Sequence, residues 1–300
     1  MRFVIAAAAV LTLVVTAWVV SSRSVEAQNT TTGEWKATVQ KENNKIQLNL
    51  ERRSDKGGRH QMGQTYNFND LQGLSREQAL SGGPVKFSLV REAGRIDLEG
   101  TFQDGRGAGT FQFTPNAGFV SAMKNRGFDF EARSNRNDDR DSEDRLFAAT
   151  TLNVTTALAD DLTAAFGKLT VEDLFKAAIF KVDSNFAREM KASGFENLTM
   201  EDLVKARIFK IDANFVRQVS QMGFEKEPFE SLVKMQIFKV TPEFISEVRN
   251  EGLTNVQVEE LVKLRIFKID GQFIREAKAE GVPLEVEQLV QKRIGVARRR

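Results

Sequence analysis

The C-terminal part of this 300-residue chain repeats itself with a period of about 29 residues. Copies begin at Thr170, Thr199, Pro228 and Gln257, and a final half copy ends near Val296. Three columns of the repeat contain one residue type each, leucine, isoleucine or glycine: Leu174, Leu203, Leu232 and Leu261; Ile179, Ile208, Ile237 and Ile266; Gly194, Gly223, Gly252 and Gly281. A fixed period of this kind is typical of solenoids, whose units are stable only when they stack on their neighbours.

Each unit carries the start and stop signals of two short helices. Thr199 with Asp202 three residues later resembles a capping box, which begins the first helix. Asp212 caps a second helix, which carries Phe215 on its apolar face and ends at the recurring glycine. Because helices of about ten residues are marginal by themselves, neighbouring units must cover their apolar faces. Residues 170–297 are therefore predicted to form an α-helical solenoid of two-helix repeats.

Residues 28–115 follow a different period. Apolar and polar residues alternate there, as at Trp35, Ala37 and Val39, and a period of two is typical of half-buried strands. Glycine-rich turn signals separate about five or six such runs. We expect a small antiparallel β domain that folds independently, with one short helix over residues 71–80. The whole chain is thus predicted to be an α+β protein of two regions, a β domain followed by the solenoid.

Residues 116–169 are predicted to be a degenerate part of the repeat. The segment 113–128 matches the second half of a unit, and the stretch from Leu146 resembles a decayed copy. The charged segment 134–144 separates the two and is predicted to be a loop-forming insertion. Residues 298–300 are three arginines, which we interpret as a solvated basic tail, with contact to anionic lipid or an acidic partner as the alternative.

Residues 1–27 have the three-part pattern of a secretory signal peptide. Arg2 supplies the positive start, residues 4–20 form an apolar run, and residues 25–27 end in a small-residue cleavage site. The alternative is an uncleaved N-terminal anchor, because the run lies at the lower limit for a membrane span. We expect contact with a membrane only in that case. Under either interpretation the body of the protein is predicted to be periplasmic or secreted.

The composition argues against catalysis. The chain has no cysteine, which excludes disulfides, thiol nucleophiles and thiolate metal sites, and its one histidine is His60. No arrangement of Ser, Asp or Glu stands out as a catalytic set, and we expect no metal site and no cofactor. Lys plus Arg (43) nearly balances Asp plus Glu (41), so a net charge of +2 does not favour nucleic acid as a partner.

Two columns of lysines recur in the repeats. The first lies in the turn between the two helices of a unit and is our candidate binding site: Lys181, Lys210, Lys239 and Lys268. Its alternative role is to satisfy carbonyl groups at the end of each first helix, where a cation suits the helix dipole. The second column has a structural explanation, because a glutamate precedes each lysine by four residues, as Glu201 precedes Lys205: Lys176, Lys205, Lys234 and Lys263.

The repeat contains Gly-Phe, Leu-Thr-x-x-x-Leu, Ile-Phe-x-Val/Ile and Thr-Pro-Glu-Phe elements, the last at residues 241–244. With these elements it resembles short helical repeats found on the extracytoplasmic side of bacterial proteins. Some such repeats are appended to membrane metallopeptidases similar to the β-lactam-sensing antirepressors, and others belong to stand-alone exported proteins. The alternating region, with His60-Gln61-Met62-Gly63, is similar to the domain that often precedes them. The resemblance implies a bacterial envelope protein without peptidase activity, because His-Glu-x-x-His is absent.

These observations favour a non-catalytic exported binding or scaffold module of the bacterial cell envelope, whose repeats present an extended surface. Its expected partner is a protein or an anionic polymer. The alternative is a sensory or carrier protein whose β domain binds a small ligand, and an enzyme is the third class. A closed apolar cavity in the β domain would favour the carrier, whereas a filled core would favour the scaffold.

Overall fold

The structure is a computed structural model that describes residues 31–53, 59–132 and 142–295. Its strands are β1 (Thr31–Val39), β2 (Lys45–Arg53), β3 (Arg59–Asn67), β4 (Leu71–Gln72), β5 (Gly83–Arg91), β6 (Gly94–Gln103) and β7 (Arg106–Pro115). Its helices are α1 (Arg76–Ser81), α2 (Ala117–Lys124), α3 (Ser142–Leu152), α4 (Thr156–Phe166), α5 (Val171–Phe180), α6 (Ser184–Ala192), α7 (Met200–Ile208), α8 (Ala213–Gln221), α9 (Phe229–Ile237), α10 (Pro242–Asn250), α11 (Val258–Ile266), α12 (Gly271–Ala279) and α13 (Val286–Arg293). The signal segment 1–27 and the tail 298–300 lie outside the described residues.

The strands form one antiparallel, curled sheet in the order β3-β2-β1-β7-β6-β5-β4. Along β1, Trp35, Ala37 and Val39 are buried while the residues between them are exposed. The alternation of the sequence therefore marks the inner face of the sheet. Together with the helices that follow, this sheet confirms the predicted α+β class.

Trp35 fills the centre of the inner face. Its ring lies 5.4 Å from that of Phe87 and 5.5 Å from that of Phe102, centroid to centroid, and its indole Nε1 donates to the carbonyl oxygen of Glu99 at 3.1 Å. A Cβ atom at Gly100 would lie only 2.8 Å from the indole ring. Glycine is needed at that position because a Cβ atom would clash with the backbone of Ala108 and Gly109 on β7 as well as with this ring. The interior of the sheet is therefore filled by aromatic side chains.

The helix predicted over residues 71–80 is shorter than expected. Leu71–Gln72 form strand β4, and α1 begins only at Arg76, after the N-cap Ser75. The hydroxyl of Ser75 accepts from the backbone of Gln78, whose side chain bonds back to Ser75, so the capping box determines where the helix starts. The guanidinium of Arg76 donates to carbonyl groups of the turn between β1 and β2, which ties α1 to the sheet.

Helix α3 packs onto the open inner face of the sheet. The ring of Phe147 lies 5.5 Å from Phe111 and 5.4 Å from Phe113, and the hydroxyl of Tyr66 donates to the carbonyl oxygen of Thr151 at 2.9 Å. All five residues are buried, and one hydrophobic core runs from the sheet into the first helices. This continuity argues against our expectation that residues 28–115 fold independently.

The helices after the sheet form two layers. In one layer α3 contacts α5, α5 contacts α7, α9 contacts α11, and α11 contacts α13. In the other layer α2 contacts α4, α4 contacts α6, and α10 contacts α12. First helices of successive units thus stack on one side and second helices on the other, as a solenoid of two-helix repeats requires.

Helices α2 to α4 repeat the backbone pattern of the later units. Asn153, after α3, has a left-handed φ of 57°, and glycines after α2 and α4, Gly127 and Gly167, have φ of 89° and 77°. Asn153 corresponds to the inter-helix lysine and Gly127 to the terminal glycine of a regular unit, and both are followed by a 6→1 bond, from the N–H of the next residue to the carbonyl five residues earlier. Gly167 ends α4 with a positive φ but without that bond among the described residues. Helix α3 begins at Ser142, within the segment predicted to be an insertion, and residues 133–141 lie outside the described residues.

Candidate functional site

The four lysines of the candidate site occupy the same backbone position in successive units. Each follows the end of a first helix with a left-handed φ: 55° at Lys181, 56° at Lys210, 55° at Lys239 and 52° at Lys268. In each case the next residue donates its N–H to the carbonyl five residues earlier, at 2.8–3.0 Å. This 6→1 bond is the Schellman motif, in which glycine is the usual left-handed residue. We call these residues the lysine row.

Lysine is an unusual choice at this position. The second helices of the same units also end in 6→1 bonds, and there the left-handed residue is always glycine: Gly194, Gly223, Gly252 and Gly281. A left-handed conformation costs an L-residue with a Cβ roughly 1–2 kcal/mol. In these units the chain therefore avoids the strain after each second helix and accepts it after each first helix.

The side chains of the lysine row are exposed, and no hydrogen bond or ion pair joins their Nζ atoms to other described residues. The turn carbonyls bond to the next unit instead. Arg265 donates to the carbonyl of Phe238 at 3.2 Å, and Arg293 donates to that of Lys268 at 2.9 Å. The structure thus gives no support to the alternative in which the lysines satisfy carbonyls at the helix ends.

The second column of lysines pairs differently from the way we predicted. Lys205 contacts Glu230 of the next unit at 2.7 Å rather than the preceding Glu201, which pairs with Lys176 at 2.7 Å. The remaining pairs are Lys234–Glu259 at 2.5 Å and Lys263–Glu287 at 2.8 Å. The helix–helix stacking brings each lysine opposite a glutamate of its neighbour. These residues therefore link units, and their role is structural.

The isoleucine column is exposed, which the sequence did not indicate. The column lies in the last turn of the first helices, and each member is about half exposed: Ile179, Ile208, Ile237 and Ile266. A repeated apolar residue is normally a core position, as Leu203 is, so periodicity alone cannot separate the two. The helical period does indicate that the two residues face different sides of α7. Five positions on a helix correspond to about 500°, which turns Ile208 away from Leu203.

The β domain offers an open groove of about 940 Å³ on the outer face of its sheet. Four of its five charged residues form two ion pairs, Lys86 with Glu99 at 3.0 Å and Arg95 with Asp97 at 2.7 Å. The fifth, Glu34, forms no ion pair with described residues. Ser88 donates to Asp97 at 2.6 Å. Because the paired groups satisfy one another, Glu34 is left as a single charged group, and the described lining holds no set of converging groups aimed at a ligand.

Among the described residues, no group of three or more His, Asp or Glu side chains is placed to hold a metal ion. His60 lies half-buried on β3, beside Arg52 of the neighbouring strand. Within the same described ranges, none of the helices has the length and apolar character needed to cross a membrane.

The geometry of this molecule thus centres on its repeats, in which a lysine row and a row of isoleucines lie at the same end of each first helix. Comparison of the chain with models of protein families, with curated proteins and with solved structures finds no match to any of them.

Proposed function

We propose that the protein is a non-catalytic exported module of the bacterial cell envelope, which binds a partner along its helical repeats. The observation that carries this proposal is the lysine row. A charged side chain occupies a strained backbone position in four successive units, and it has no partner among the described residues. Backbone strain that recurs, and that no hydrogen bond or ion pair of the side chain offsets, is a reason to look for a function.

The alternative function, a carrier whose β domain binds a small ligand, has less support. Trp35 and the phenylalanines around it fill the inner face of the sheet, and α3 packs onto that face. A carrier needs an interior volume into which the ligand fits. The filled core therefore favours the binding module.

The test is to replace the four residues of the lysine row by Gln and to measure capture of partners from the cell envelope. A matched control replaces four exposed lysines elsewhere by Gln, with the same change in net charge: Lys168, Lys191, Lys226 and Lys278. We expect the first variant to lose capture while its circular dichroism and melting temperature stay unchanged, and the control to retain capture. Equal capture by the two variants would contradict the proposal.

A further inference from the structure

The exposed isoleucines form a continuous feature of the solenoid. The residue two positions before each lysine of the row is an isoleucine, with 51% of its surface exposed at Ile179, 50% at Ile208, 48% at Ile237 and 52% at Ile266. Ile294 occupies the same place at the end of α13 and is 54% exposed. Single exposed apolar residues are common on protein surfaces, but a set that recurs in register is typical of an interaction surface. We call these five residues the isoleucine row.

In the first unit, the position that corresponds to the isoleucines is buried. Thr151 lies two residues before the left-handed Asn153 and so corresponds to Ile179. It is 3% exposed, because its hydroxyl contacts the sulfur of Met62 on β3 at 3.3 Å and its carbonyl accepts from Tyr66. The isoleucine row is therefore the continuation of a face that, in the first unit, already packs against another part of the protein.

Charge specifies what kind of group fits beside the isoleucines. Each of the first four isoleucines lies two residues from an exposed lysine that lacks an acidic partner among the described residues. Acidic N-caps also lie close by, since Asp183, Asp212 and Asp270 follow their isoleucines by four residues. A membrane or polymer of uniform negative charge would meet these carboxylates as well as the lysines. A partner with separate apolar and acidic groups fits better.

The spacing of the units suggests the form of such a partner. Packed helices lie about 8–10 Å apart, so equivalent residues of successive units recur at about that distance. An α-helix rises about 10.5 Å over seven residues, at 1.5 Å per residue. The length of one heptad of a partner helix therefore matches the distance between equivalent residues of successive units. If each heptad carries an apolar residue and a glutamate one turn away, the apolar residues recur with the spacing of the isoleucines and the glutamates with that of the lysines.

We propose that the isoleucine row and the lysine row together bind an acidic amphipathic α-helix of a partner protein. This inference rests on the proposed function, because it names the class of partner that the lysine row recognises. Apolar side chains of the helix pack on the isoleucines, and its glutamates pair with the lysines. Both contacts are needed, since exposed ion pairs alone contribute little.

The experiment measures binding of a synthetic helical peptide of four heptads, with leucine at one position of each heptad and glutamate one turn away. The protein variant replaces four isoleucines by Ser: Ile179, Ile208, Ile237 and Ile266. Leu80→Ser is the control, because Leu80 is 46% exposed on α1 and lies outside the row. Three comparison ligands are the same peptide with a scrambled order, polyglutamate, and vesicles of anionic phospholipid.

We expect the full chain to bind the heptad peptide at least tenfold more tightly than each comparison ligand. Binding should fall at least tenfold in the isoleucine variant and in the Gln variant of the lysine row, and stay unchanged in Leu80→Ser. Circular dichroism of each variant checks the fold. A second peptide, with lysine in place of each glutamate, is measured with the unaltered protein, and we expect no binding.

The outcomes separate this inference from the proposed function. Peptide binding that survives in the isoleucine variant but not in the lysine variant overturns the inference and leaves the proposed function in place. Equal or tighter binding of polyglutamate or vesicles overturns it in favour of those ligands, and absence of peptide binding overturns it outright. Self-association that disappears in the isoleucine variant, without peptide binding, assigns the row to a second copy instead.

Discussion

At the scale of single residues, the molecule uses one turn geometry with two different residues. First and second helices both end in a Schellman motif, yet lysine holds the left-handed position in one and glycine in the other. Glycine adopts positive φ without steric cost, so its use after the second helices follows from the backbone alone. Its absence after the first helices has no such explanation, since the lysine side chains form no hydrogen bond or ion pair with described residues that would compensate.

Replacing Lys210 by Gly should stabilise the protein. The substitution removes the left-handed strain, and about 0.5–1 kcal/mol remains after the greater backbone entropy of glycine in the unfolded chain is deducted. Urea unfolding of Lys210→Gly and Lys210→Gln measures the effect. We expect a gain in the free energy of unfolding for Gly and little change for Gln. A loss of stability in both variants would show that the lysine side chain stabilises the turn after all.

At the scale of elements, α3 belongs to both regions of the protein. Its Phe147 packs on Phe111 and Phe113 of the sheet, and the helix also stacks on α5 as the first helix of a unit. The boundary read from the sequence near residue 115 marks a change of period. The hydrophobic core is not divided there, because buried residues on both sides of this boundary pack into one cluster.

A fragment of residues 28–115 should therefore be poorly folded, whereas a fragment of residues 28–166 should be folded. The shorter one lacks α3, and this exposes Phe111, Phe113 and Tyr66, which are buried in the whole chain. Burial of a large aromatic side chain contributes about 1.5–3 kcal/mol, a large share of the stability of a small domain. Two-dimensional NMR spectra of both fragments measure the result. Well-dispersed signals from the shorter fragment would restore the independent β domain.

Because of the ion pairs between stacked first helices, the free energy of unfolding depends on pH in the alkaline range. The hydrogen bond from Lys205 to Glu230 raises the pKa of that lysine, and the bond to Glu201 raises that of Lys176. A raised pKa in the folded state means that the contribution is complete below the ordinary lysine pKa of about 10.4 and is lost as the pH rises through the raised value.

We therefore expect Lys205→Gln to melt at a slightly lower temperature than the unaltered protein at pH 8, with the difference shrinking above about pH 10.5. Melting curves from pH 8 to pH 11.5 test this, and Lys226→Gln, an exposed lysine without a described ion pair, is the control. A difference that stays constant over the whole range would mean that the pair does not act through its charge.

At the scale of the whole molecule, the sheet serves as the N-terminal cap of the solenoid. Asp144 of α3 occupies the position of Glu201 in a regular unit, counted back from the left-handed residue of each turn. Glu201 pairs with Lys176 of the preceding unit, whereas Asp144 pairs with Arg52 of β2, and both members of that pair are buried. The sheet thus stands where a preceding first helix would lie and covers the end of the stack.

The two ends of the solenoid should accordingly differ in local stability. The first units share one core with the sheet, whereas units from α10 onward belong to a second cluster and end at α13, whose Ile294 is exposed. Because each unit is stabilised by its neighbours, we expect amide hydrogens of α11 to α13 to exchange faster than those of α3 to α5. Hydrogen exchange followed by mass spectrometry measures this. Equal protection along the solenoid would indicate a single cooperative unit.

The sequence by itself determined the helix caps and the strand alternation, because these depend on neighbours along the chain. Capping residues such as Thr199 and Asp212, terminal glycines such as Gly223, and the alternation around Trp35 each act within a few residues, and all appear in the structure as predicted. The α+β class follows from the two periods that these signals impose.

Tertiary structure alone decided which repeated positions are covered. Leu203 and Ile208 are equally apolar and equally periodic, and the helical period places them on different sides of α7. Only the stacking of helices decides which side is covered, and it leaves Leu203 buried and Ile208 half exposed. In the same way Lys205 has one glutamate near it in sequence and another in space, and it pairs with the second. Burial and pairing depend on groups brought together from distant parts of the chain, and no local pattern encodes those distances.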